Sequence, residues 1–477
     1  MLLVQVLLPL LLGGLAFAVR SNLKRPWLLP LGGAAHLAGT CAILLGRAPA
    51  ANGDWLGLDP LNRVVLGFLS LLFFLCSVYA RGYLVLRPNQ PNRIFTASLL
   101  AFLGMLTLAV EAQHLGLMWV AVESCTLSSA PLLYFNQNPR SLEATWKYML
   151  IGSVGIALAL LGSYFLAYSA LRGGMSTSLF FPDLVREAPH LSHPWLRSAF
   201  ILLFVGYGTK MGLAPMHSWK PDAYGEAPGL VGALLAGGLT TAAFLAVLRF
   251  FQICTAAHDL AFARSMMVTL GLFSMAVAAV FMVRQRDYKR MLAYSSVEHM
   301  GILVLGIGIG GAGIFGSLLH LINNGLTKGV LFLAAANIHR CYGSKRVEDV
   351  SGAIRRLPVT GALFLAGFFA ITGSPPFGPF FSEFTILRAA VAAGRFWIAG
   401  LFLLMLFVVF VGMSSTVFAV VQGEPSAKAT ASAYKDNFFT LAPIIMFLSL
   451  VLLLGVYVPP PLSHALHQAA GFIEMNP

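Results

Sequence analysis

The stretch GTKMGLAPMHSWKPDAYGEAP, from Gly208 to Pro228, follows the apolar run SAFILLFVGYG and places a lysine, a proline and a histidine where an uninterrupted membrane helix would be expected. If the helix begins near Ser198, Lys210 lies about 18 Å along it, near the middle of a bilayer. Pro215 removes a backbone hydrogen bond and is predicted to break the helix just beyond. Freed backbone groups are tolerated at that depth only where protein or water satisfies them. The stretch therefore predicts a membrane helix that is interrupted for a functional reason.

The composition indicates a polytopic membrane protein. Of 477 residues, 58% are hydrophobic and only 10% are charged, whereas soluble domains carry about 25% charged residues. We count about 14 apolar runs long enough to span a bilayer, which predicts an all-α fold of about 14 transmembrane helices. The clearest runs are Leu2–Val19, Trp27–Leu45, Leu115–Tyr134, Tyr148–Leu171, Met267–Val283, Ile314–Ile338 and Phe438–Val458.

The formal net charge of +13 is carried mainly by every second loop. The basic clusters are Arg20, Lys24 and Arg25, then Arg284, Arg286, Lys289 and Arg290, then Arg340, Lys345, Arg346, Arg355 and Arg356. This is the positive-inside pattern, so the charge indicates topology and not nucleic-acid binding. We expect a cell inner (cytoplasmic) membrane protein with both termini on the outer side. The first apolar run has no basic residue before it, which favours a transmembrane helix over a signal peptide.

The sequence offers no pattern for a redox centre, a metal or a nucleotide. The five cysteines are far apart, without the CxxC pair that iron–sulfur clusters and zinc sites use. No Gly-rich phosphate loop stands between a strand and a helix. We therefore expect no cofactor and no metal in this chain, and no catalytic residue of its own.

Ionisable residues within the apolar runs are few, and such residues are functional candidates by default because their insertion is costly. The clearest are Glu123, Lys210, Glu298, His320, Lys328 and Glu383. Glu123 and Lys210 are separated by 210 − 123 = 87 positions, and Glu298 and Glu383 by 383 − 298 = 85. Pro375 and Pro376 repeat the helix break of Pro215. These spacings predict two inverted five-helix repeats, each with a broken helix, a pattern that marks a transport pathway.

The repeats suggest four parts of the chain. Residues 1–93 would form helices 1–3, residues 94–252 the first repeat with helices 4–8, and residues 262–421 the second repeat with helices 9–13. Residues 422–477 would form helix 14 and a tail. In the first repeat, Glu123 is the opposite charge expected to control the proton affinity of Lys210. The alternative is a static buried salt bridge that locks two helices together. Such a bridge is weak evidence for stability, because the cost of desolvating the two charges can exceed their attraction.

Further candidates carry weaker signals. His320, Asn324 and Lys328 recur at i, i+4 and i+8, so they share one helix face, either as a hydrogen-bonded chain or as a polar packing seam. His299 follows Glu298 on a different face. The remaining candidates for the proton path each have a structural alternative. Glu111 and His339 could simply lie at the membrane interface, and His217 could simply hydrogen-bond the broken backbone. Thr240 and Thr241 are the polar groups of the segment GALLAGGLTTAAFLAVLRF.

Three motifs carry a family resemblance. GTKMGLAPMHSWKPDAYGEAP, YKRMLAYSSVEHMG and HLINNGLTKGVLFLAAANI resemble signatures of the antiporter-like membrane subunits shared by complex I, the Mrp cation/proton antiporters and the membrane-bound hydrogenases. The likeness runs roughly from Glu111 to Arg388. The Glu-His pair in YSSVEHMG is most similar to the hydrogenase-4 component F branch of formate hydrogenlyase-type complexes.

The resemblance implies 14 helices and a proton path along a central polar axis. It places Glu123 at the family's glutamate on the fifth helix and Lys210 at its lysine on the broken seventh. Lys328 matches the lysine of the eleventh helix, His320 the family's histidine, and Glu383 the charged residue of the broken twelfth helix. Many members also have a lysine or histidine on the eighth helix. Here that helix offers only Thr240 and Thr241, so either water bridges the gap or the path runs differently. Asn324 stands where some relatives have a histidine.

The predicted function is proton translocation within a redox-driven complex. The expected partners are other membrane subunits and a peripheral arm, either a hydrogenase or a quinone- or NADH-reducing module, which would carry the redox chemistry. The transported ion would be the proton or sodium. One alternative is an antiporter subunit, or an energising partner for inorganic carbon uptake, without redox chemistry. Another is a membrane anchor or coupling subunit. The chain stops soon after helix fourteen, so we expect no long lateral helix.

Overall fold

The computed structural model describes residues 1–49, 51–175 and 178–475 and is almost entirely helical. The helices are α1 (Leu2–Ala18), α2 (Leu28–Leu44), α3 (Pro60–Val85), α4 (Arg93–Glu111), α5 (Leu115–Leu133), α6 (Pro139–Arg172), α7 (Phe181–Glu187), α8 (His193–Met211), α9 (Trp219–Glu226), α10 (Gly229–Leu234), α11 (Thr240–Ala256), α12 (Leu260–Met282), α13 (Tyr288–Ile309), α14 (Ala312–Tyr342), α15 (Ala353–Arg356), α16 (Pro358–Ile371), α17 (Gly378–Ala392), α18 (Phe396–Val421), α19 (Ala427–Thr430), α20 (Phe438–Val456) and α21 (Pro460–Glu474). Two short strands, β1 (Ala51–Asn52) and β2 (Leu56–Gly57), pair antiparallel in one loop.

The predicted all-α polytopic fold is confirmed. Among the described residues, 11 helical segments are long and apolar enough to cross a membrane. Counting also α1, the broken helix α8 and the broken pair α16–α17 as membrane segments gives 14, the number that the sequence predicts. The chain is a multi-pass integral membrane protein.

The two broken helices form where the sequence places glycine and proline. Helix α8 ends at Met211, and Gly212 adopts a left-handed conformation with φ of 77° that closes its last turn. The chain then crosses Pro215 before α9 begins. Likewise α16 ends at Ile371, Gly373 has φ of 65°, and α17 begins after Pro375 and Pro376. The two broken segments are the seventh and twelfth along the chain, so they cross in opposite directions.

The eighth segment is also irregular. Between α10 and α11 the residues Leu235–Leu239, LAGGL, form a turn of π-helix. Such single π-turns inside helices often occur at functional sites. The hydroxyls of Thr240 and Thr241 donate to the carbonyls of Ala236 and Gly237, at 2.6 Å each. Both hydroxyls are therefore engaged with the backbone of the π-turn.

Several helices begin or end away from the apolar runs. Helix α6 starts at Pro139 and not at Tyr148, because Asn138 and Ser141 form a capping box outside the apolar part. Helix α12 starts at Leu260 and not at Met267. The predicted tail after the last span is the short helix α21, whose Leu466, Ala469 and Ile473 are buried. Amphipathic and capped ends extend helices beyond the residues that hydropathy marks.

Helix α8 also starts earlier than predicted, at His193 and not near Ser198. Its first turn lies outside the apolar layer, since Arg197 is half-exposed and binds Asp259 in the α11–α12 loop. Lys210, at the other end of the helix, is buried with a side-chain exposure of 1%. The lysine therefore lies deep in the protein, next to the helix break.

Burial separates an inner group of helices from an outer one. The apolar windows of α13, α14 and the α10–α11 segment are wholly buried, whereas those of α18 and α20 are only 33% buried. In a membrane protein the outer surface faces lipid or partner subunits, so wholly buried helices form the centre of the bundle. Helices α13 and α14 together carry five buried charged or histidine side chains, namely Lys289, Glu298, His299, His320 and Lys328.

Candidate functional site

Glu123 and Lys210 form a direct ion pair inside the first half of the bundle. Lys210 Nζ lies 2.8 Å from Glu123 Oε2 and 2.5 Å from the hydroxyl of Thr126, one turn further along α5. Ser153 on α6 donates to the other carboxylate oxygen at 3.3 Å. Glu123 keeps a side-chain exposure of 19% while Lys210 is buried. The lysine is thus the fixed inner member of the pair, and the glutamate lies at the edge of the packed interior.

The lysine is closely surrounded. A Cβ atom on Gly152 of α6 would lie only 2.9 Å from Lys210 Nζ. Helices α6 and α8 therefore approach each other at a glycine, which leaves just enough room for the ammonium group to reach Glu123. This close approach explains why a small residue occupies that position of α6.

The first helix break is stabilised by side chains of α9. Trp219 Nε1 donates to the carbonyl of Thr209 at 2.9 Å, and Lys220 Nζ donates to the carbonyl of Met211 at 2.6 Å. Both carbonyls belong to the last turn of α8, where the break removes their helical partners. The predicted break at Pro215 thus has its freed backbone satisfied by protein groups, as a membrane interior requires.

His217 lies within the break and is half-buried. Its Nδ1 lies 3.2 Å from the carbonyl of Pro215, to which it donates. The ring lies 6.4 Å from each of the Phe281 and Tyr294 rings. This geometry fits the alternative interpretation of the sequence, in which His217 hydrogen-bonds the broken backbone.

Lys328 occupies the centre of the second half of the bundle. It is fully buried on α14 and donates to two groups of α13, the Ser295 hydroxyl at 2.8 Å and the Leu292 carbonyl at 3.2 Å. Glu298, one turn further along α13, is 2% exposed, and in the described part of the chain no ion pair within 4.0 Å joins it to Lys328. The second acid–base pair is therefore looser than the first and has hydroxyl and carbonyl groups around the ammonium.

A chain of hydrogen bonds continues from α13 through α14 to α17. His299 Nδ1 lies 2.9 Å from His320 Nε2, and His320 Nδ1 lies 2.9 Å from the Ser382 hydroxyl. The Ser382 hydroxyl donates to the carbonyl of Pro379 at 2.9 Å, so its oxygen accepts from His320 Nδ1. His320 Nε2 is then the acceptor for His299 Nδ1–H. This arrangement fixes both tautomers as a directional row of donors and acceptors.

Glu383 lies beside this row, at the second helix break. Its carboxylate is 4.0 Å from His299 Nδ1 and folds against Gly373, where a Cβ atom would lie 2.2 Å from Oε2. His299, His320 and Glu383 offer three ligand atoms within 4.8 Å of one another, so this set could hold a metal ion. The sequence predicted no metal site because these residues are far apart along the chain. The direct hydrogen bond between the histidines already accounts for their approach.

The secondary candidates are placed differently. Asn324 is buried on α14 between His320 and Lys328. Thr240 is buried, and its hydroxyl is engaged with the π-turn. His339 is half-buried near the end of α14, in an open polar cavity that Glu226 also lines. Arg286, Arg290 and Lys345 line the same cavity and define the basic face of the protein. Glu111 ends α4 and is fully buried, so it is not an exposed interfacial residue.

Lys220 was not predicted from the sequence as a candidate residue. It is fully buried and contacts both halves of the bundle, since besides Met211 it reaches the Ser296 carbonyl of α13 at 3.4 Å. The residue falls in the segment HSWKPDAY, which reads as a polar loop after a broken helix. A signal was present, because a lysine between a tryptophan and a proline within an otherwise intramembrane break is unusual. It would have required predicting that α9 folds back into the bundle.

Comparison with known proteins identifies the family of the chain. Residues 112–408 match the family described as NADH:quinone oxidoreductase/Mrp antiporter, TM. A hydrogenase-4 component F homolog of Methylacidiphilum infernorum is 33% identical over 91% of this chain and 91% of the relative. An NADH-quinone oxidoreductase subunit N of Desulforudis audaxviator is 31% identical over 73% of this chain and 69% of the relative.

The fold comparison agrees as well. A chain of the membrane-bound sulfane sulfur reductase, an archaeal respiratory membrane complex, superposes with a TM-score of 0.86 at 19% identity, over 99% of this chain and 97% of that chain. At that identity the likeness shows the shared fold. The matched family region contains both helix breaks and the buried row from Glu123 to Glu383. The chain belongs to the NADH:quinone oxidoreductase/Mrp antiporter family of antiporter-like membrane subunits.

Proposed function

We propose that the chain translocates protons as one subunit of a redox-driven, multi-subunit complex of the hydrogenase-4 or NADH dehydrogenase type. The observation that carries this proposal is the set of buried and half-buried ionisable side chains that begins at the Glu123–Lys210 pair and ends at Glu383, beside two broken helices. Several ionisable groups in one membrane interior are costly, and a row of them is typical of proton relays. A packing role alone does not account for so many.

The first pair provides the control point. Lys210 is fully enclosed, so its ammonium form depends on the nearby Glu123 carboxylate. If Glu123 moves away from Lys210, the buried charge loses its partner and proton release is favoured. The released proton can pass towards Lys328 and Glu383, and between them His299, His320 and Ser382 form a hydrogen-bonded row. A shift of charge in a neighbouring subunit would be the trigger for Glu123.

The redox chemistry is assigned to partner subunits. We expect other membrane subunits beside the exposed apolar faces and a peripheral hydrogenase, quinone- or NADH-reducing arm that contains the cofactors. The close relationship in length and sequence to a hydrogenase-4 component F homolog supports the hydrogenase branch. The basic loops favour an inner (cytoplasmic) membrane location with both termini outside. Isolation of the native complex in mild detergent, followed by mass spectrometry, would identify the arm. Recovery of small membrane subunits alone would favour a redox-free antiporter.

The proton-translocating role is tested by Lys210→Ala in the native complex. We expect coupled proton movement to be abolished, because the variant removes the inner member of the pair, while assembly with partner subunits is retained. Proton movement is measured with a pH-sensitive dye in membrane vesicles, and assembly by native electrophoresis. Unchanged proton movement in an assembled Lys210→Ala complex would contradict the proposal.

A further inference from the structure

We propose that Lys220 is the proton carrier that joins the two halves of the bundle, an inference that rests on the proposed function. The acid–base pairs of the two halves are carried by different helices, α5 and α8 in one half and α13 and α14 in the other. The eighth segment, which lies between them, supplies no titratable residue at its centre. Thr240 and Thr241 are engaged with their own π-turn. Water or another side chain would therefore have to carry a proton across this gap.

Lys220 occupies that gap. Its Nζ donates to the carbonyl of Met211 at 2.6 Å, one residue beyond Lys210 on α8. The same atom reaches the carbonyl of Ser296 on α13 at 3.4 Å. Lys328 binds the neighbouring residue, Ser295. One ammonium group therefore contacts the residue next to Lys210 on one side and the residue next to the Lys328 ligand on the other.

The surroundings of Lys220 disfavour a permanent charge. The side chain is fully buried, and among the described residues it forms no ion pair with a carboxylate. Besides burial, the positive charge of Lys328 disfavours the ammonium form of Lys220. A buried ammonium without a counter-ion is costly, and the positive charge of Lys328 adds to that cost, so release of a proton from Lys220 is favoured. A lysine has three rotatable donor positions, and two carbonyl contacts leave one for proton exchange.

The backbone leaves room for this side chain at one position. A Cβ atom on Gly212 would lie 2.6 Å from Lys220 Cδ and 3.0 Å from Nζ. Helix α9 itself is held in place by ion pairs of Asp222 with Lys147 and Arg290, at 3.0 and 3.1 Å. Helix α9, anchored by these ion pairs, therefore places Lys220 in the gap, and the absence of a side chain at Gly212 leaves the space that it occupies.

A structural role and a proton-carrying role for Lys220 differ in which residue could replace the lysine. If Lys220 only satisfied the Met211 and Ser296 carbonyls, an arginine would serve as well, since it carries more donors and stays charged. If Lys220 carries protons, an arginine cannot replace it, because a guanidinium does not release its proton at physiological pH. Lys289 provides a matched control. It is also buried and donates to a carbonyl of the α9–α10 turn, Ala227, at 2.6 Å, but lies at the basic face.

The test uses the native complex reconstituted into liposomes loaded with KCl. Valinomycin sets an inside-negative potential, and proton uptake is followed with luminal pyranine. Wild type and Lys289→Met should take up protons, whereas Lys220→Met and Lys220→Arg should each be slower by about 100-fold, as for the loss of a positioned proton-transfer group. Assembly and thermal melting of each variant are measured in parallel.

The outcomes separate the two proposals. Wild-type-like uptake by Lys220→Arg or by Lys220→Met would overturn the role of Lys220 and leave the proposed function intact. No uptake by wild type above protein-free liposomes would overturn the proposed function and this inference with it. Should both Lys220 variants fail to assemble, Gly212→Ala displaces the same side chain without removing it. Uptake by Gly212→Ala equal to wild type would then contradict the inference.

Discussion

Lys210 depends on a single glycine for its position. A Cβ atom on Gly152 would lie 2.9 Å from its Nζ and 3.7 Å from its Cε. We expect Gly152→Ala to push the flexible end of the lysine away from Glu123 and to reduce proton uptake about tenfold or more. Folding should change little, because alanine favours a helix over glycine by roughly 0.5–1 kcal/mol.

The control for Gly152→Ala is Gly14→Ala on α1. A Cβ atom there meets nothing within 4 Å. Proton uptake by the reconstituted complex should be unchanged in this variant. Equal uptake by both glycine variants would show that the position of Lys210 does not matter for transport.

The row of histidines depends on one hydroxyl for its polarity. Ser382 accepts from His320 Nδ1, which leaves His320 Nε2 to accept from His299. We expect Ser382→Ala to free the tautomer of His320 and to slow proton transfer about tenfold, a smaller effect than loss of a carrier. The measurement is the pH profile of proton uptake, which should shift as well as fall. Ser178→Ala, whose hydroxyl bonds the surface residue Asp183 at 2.7 Å, serves as control.

At the N-terminal end of α8, the ion pairs of Asp259 are expected to make the stability of the fold depend on pH. Burial opposes its ionised form, but hydrogen bonds from Arg197 and His193 hold the pKa of Asp259 below its ordinary value of 3.8. A carboxyl group with a lowered pKa stabilises the fold above that value, and this stabilisation is lost as pH falls through the lower pKa of the folded state. Both partners are half-exposed, so the contribution is about 1 kcal/mol.

We therefore expect Asp259→Asn to lower the melting temperature of the detergent-solubilised protein at pH 7. The difference from wild type should shrink as pH falls below the ordinary pKa of 3.8. Asp183→Asn is the control, since its partner Arg186 is largely exposed. A difference that stays constant down to the lowest pH tested would contradict this assignment.

At the scale of the element, helix α9 is held against its neighbours by ion pairs. Asp222 joins it to Lys147 on α6 and to Arg290 on α13. Glu226 joins it to Lys345, with Nζ 2.5 Å from Oε1. We expect Asp222→Asn to loosen both of the first two contacts and so reduce proton uptake several-fold, while the protein still assembles. The reason is that Lys220 and Trp219, which satisfy the end of α8, lie on the same short helix.

The effect of Asp222→Asn is measured as proton uptake by the reconstituted complex. Exposed ion pairs contribute little to stability, about 0–1 kcal/mol, so melting should hardly change. Glu348→Gln tests this point, because its weak contact with Arg286 is exposed at both ends. If Asp222→Asn and Glu348→Gln behave alike, α9 is not held in the way described.

The elements that hydropathy defines were predictable, and their boundaries were less so. Each membrane segment is an apolar run, and each break coincides with a proline and a left-handed glycine. The start of α6 at Pro139 was missed because its first two turns are polar and owe their structure to the Asn138 capping box. The π-turn at LAGGL leaves no mark in composition. Helix α9 has no apolar run of its own, so Lys220 could not be placed by hydropathy.

At the scale of the whole molecule, the candidate site was partly predictable for a simple physical reason. A charged residue in an apolar run must be accommodated inside the bundle, and this constraint points to Glu123, Lys210, Lys328 and Glu383 without any structure. What the sequence could not supply is distance between residues far apart in the chain. The contact of His299 with His320, and of Lys220 with both halves, follows from packing of three or four helices.

At this scale, if the two acid–base clusters lie in series on a single path joined by Lys220, both must be intact for a proton to cross. The most direct measurement is potential-driven proton uptake by liposomes containing the native complex with Lys210→Met, with Lys328→Met, or with both. A path in series predicts that either single variant abolishes uptake as completely as the double variant. Two parallel paths would contradict the account, since each single variant would then retain a substantial share of wild-type uptake and only the double variant would lose it.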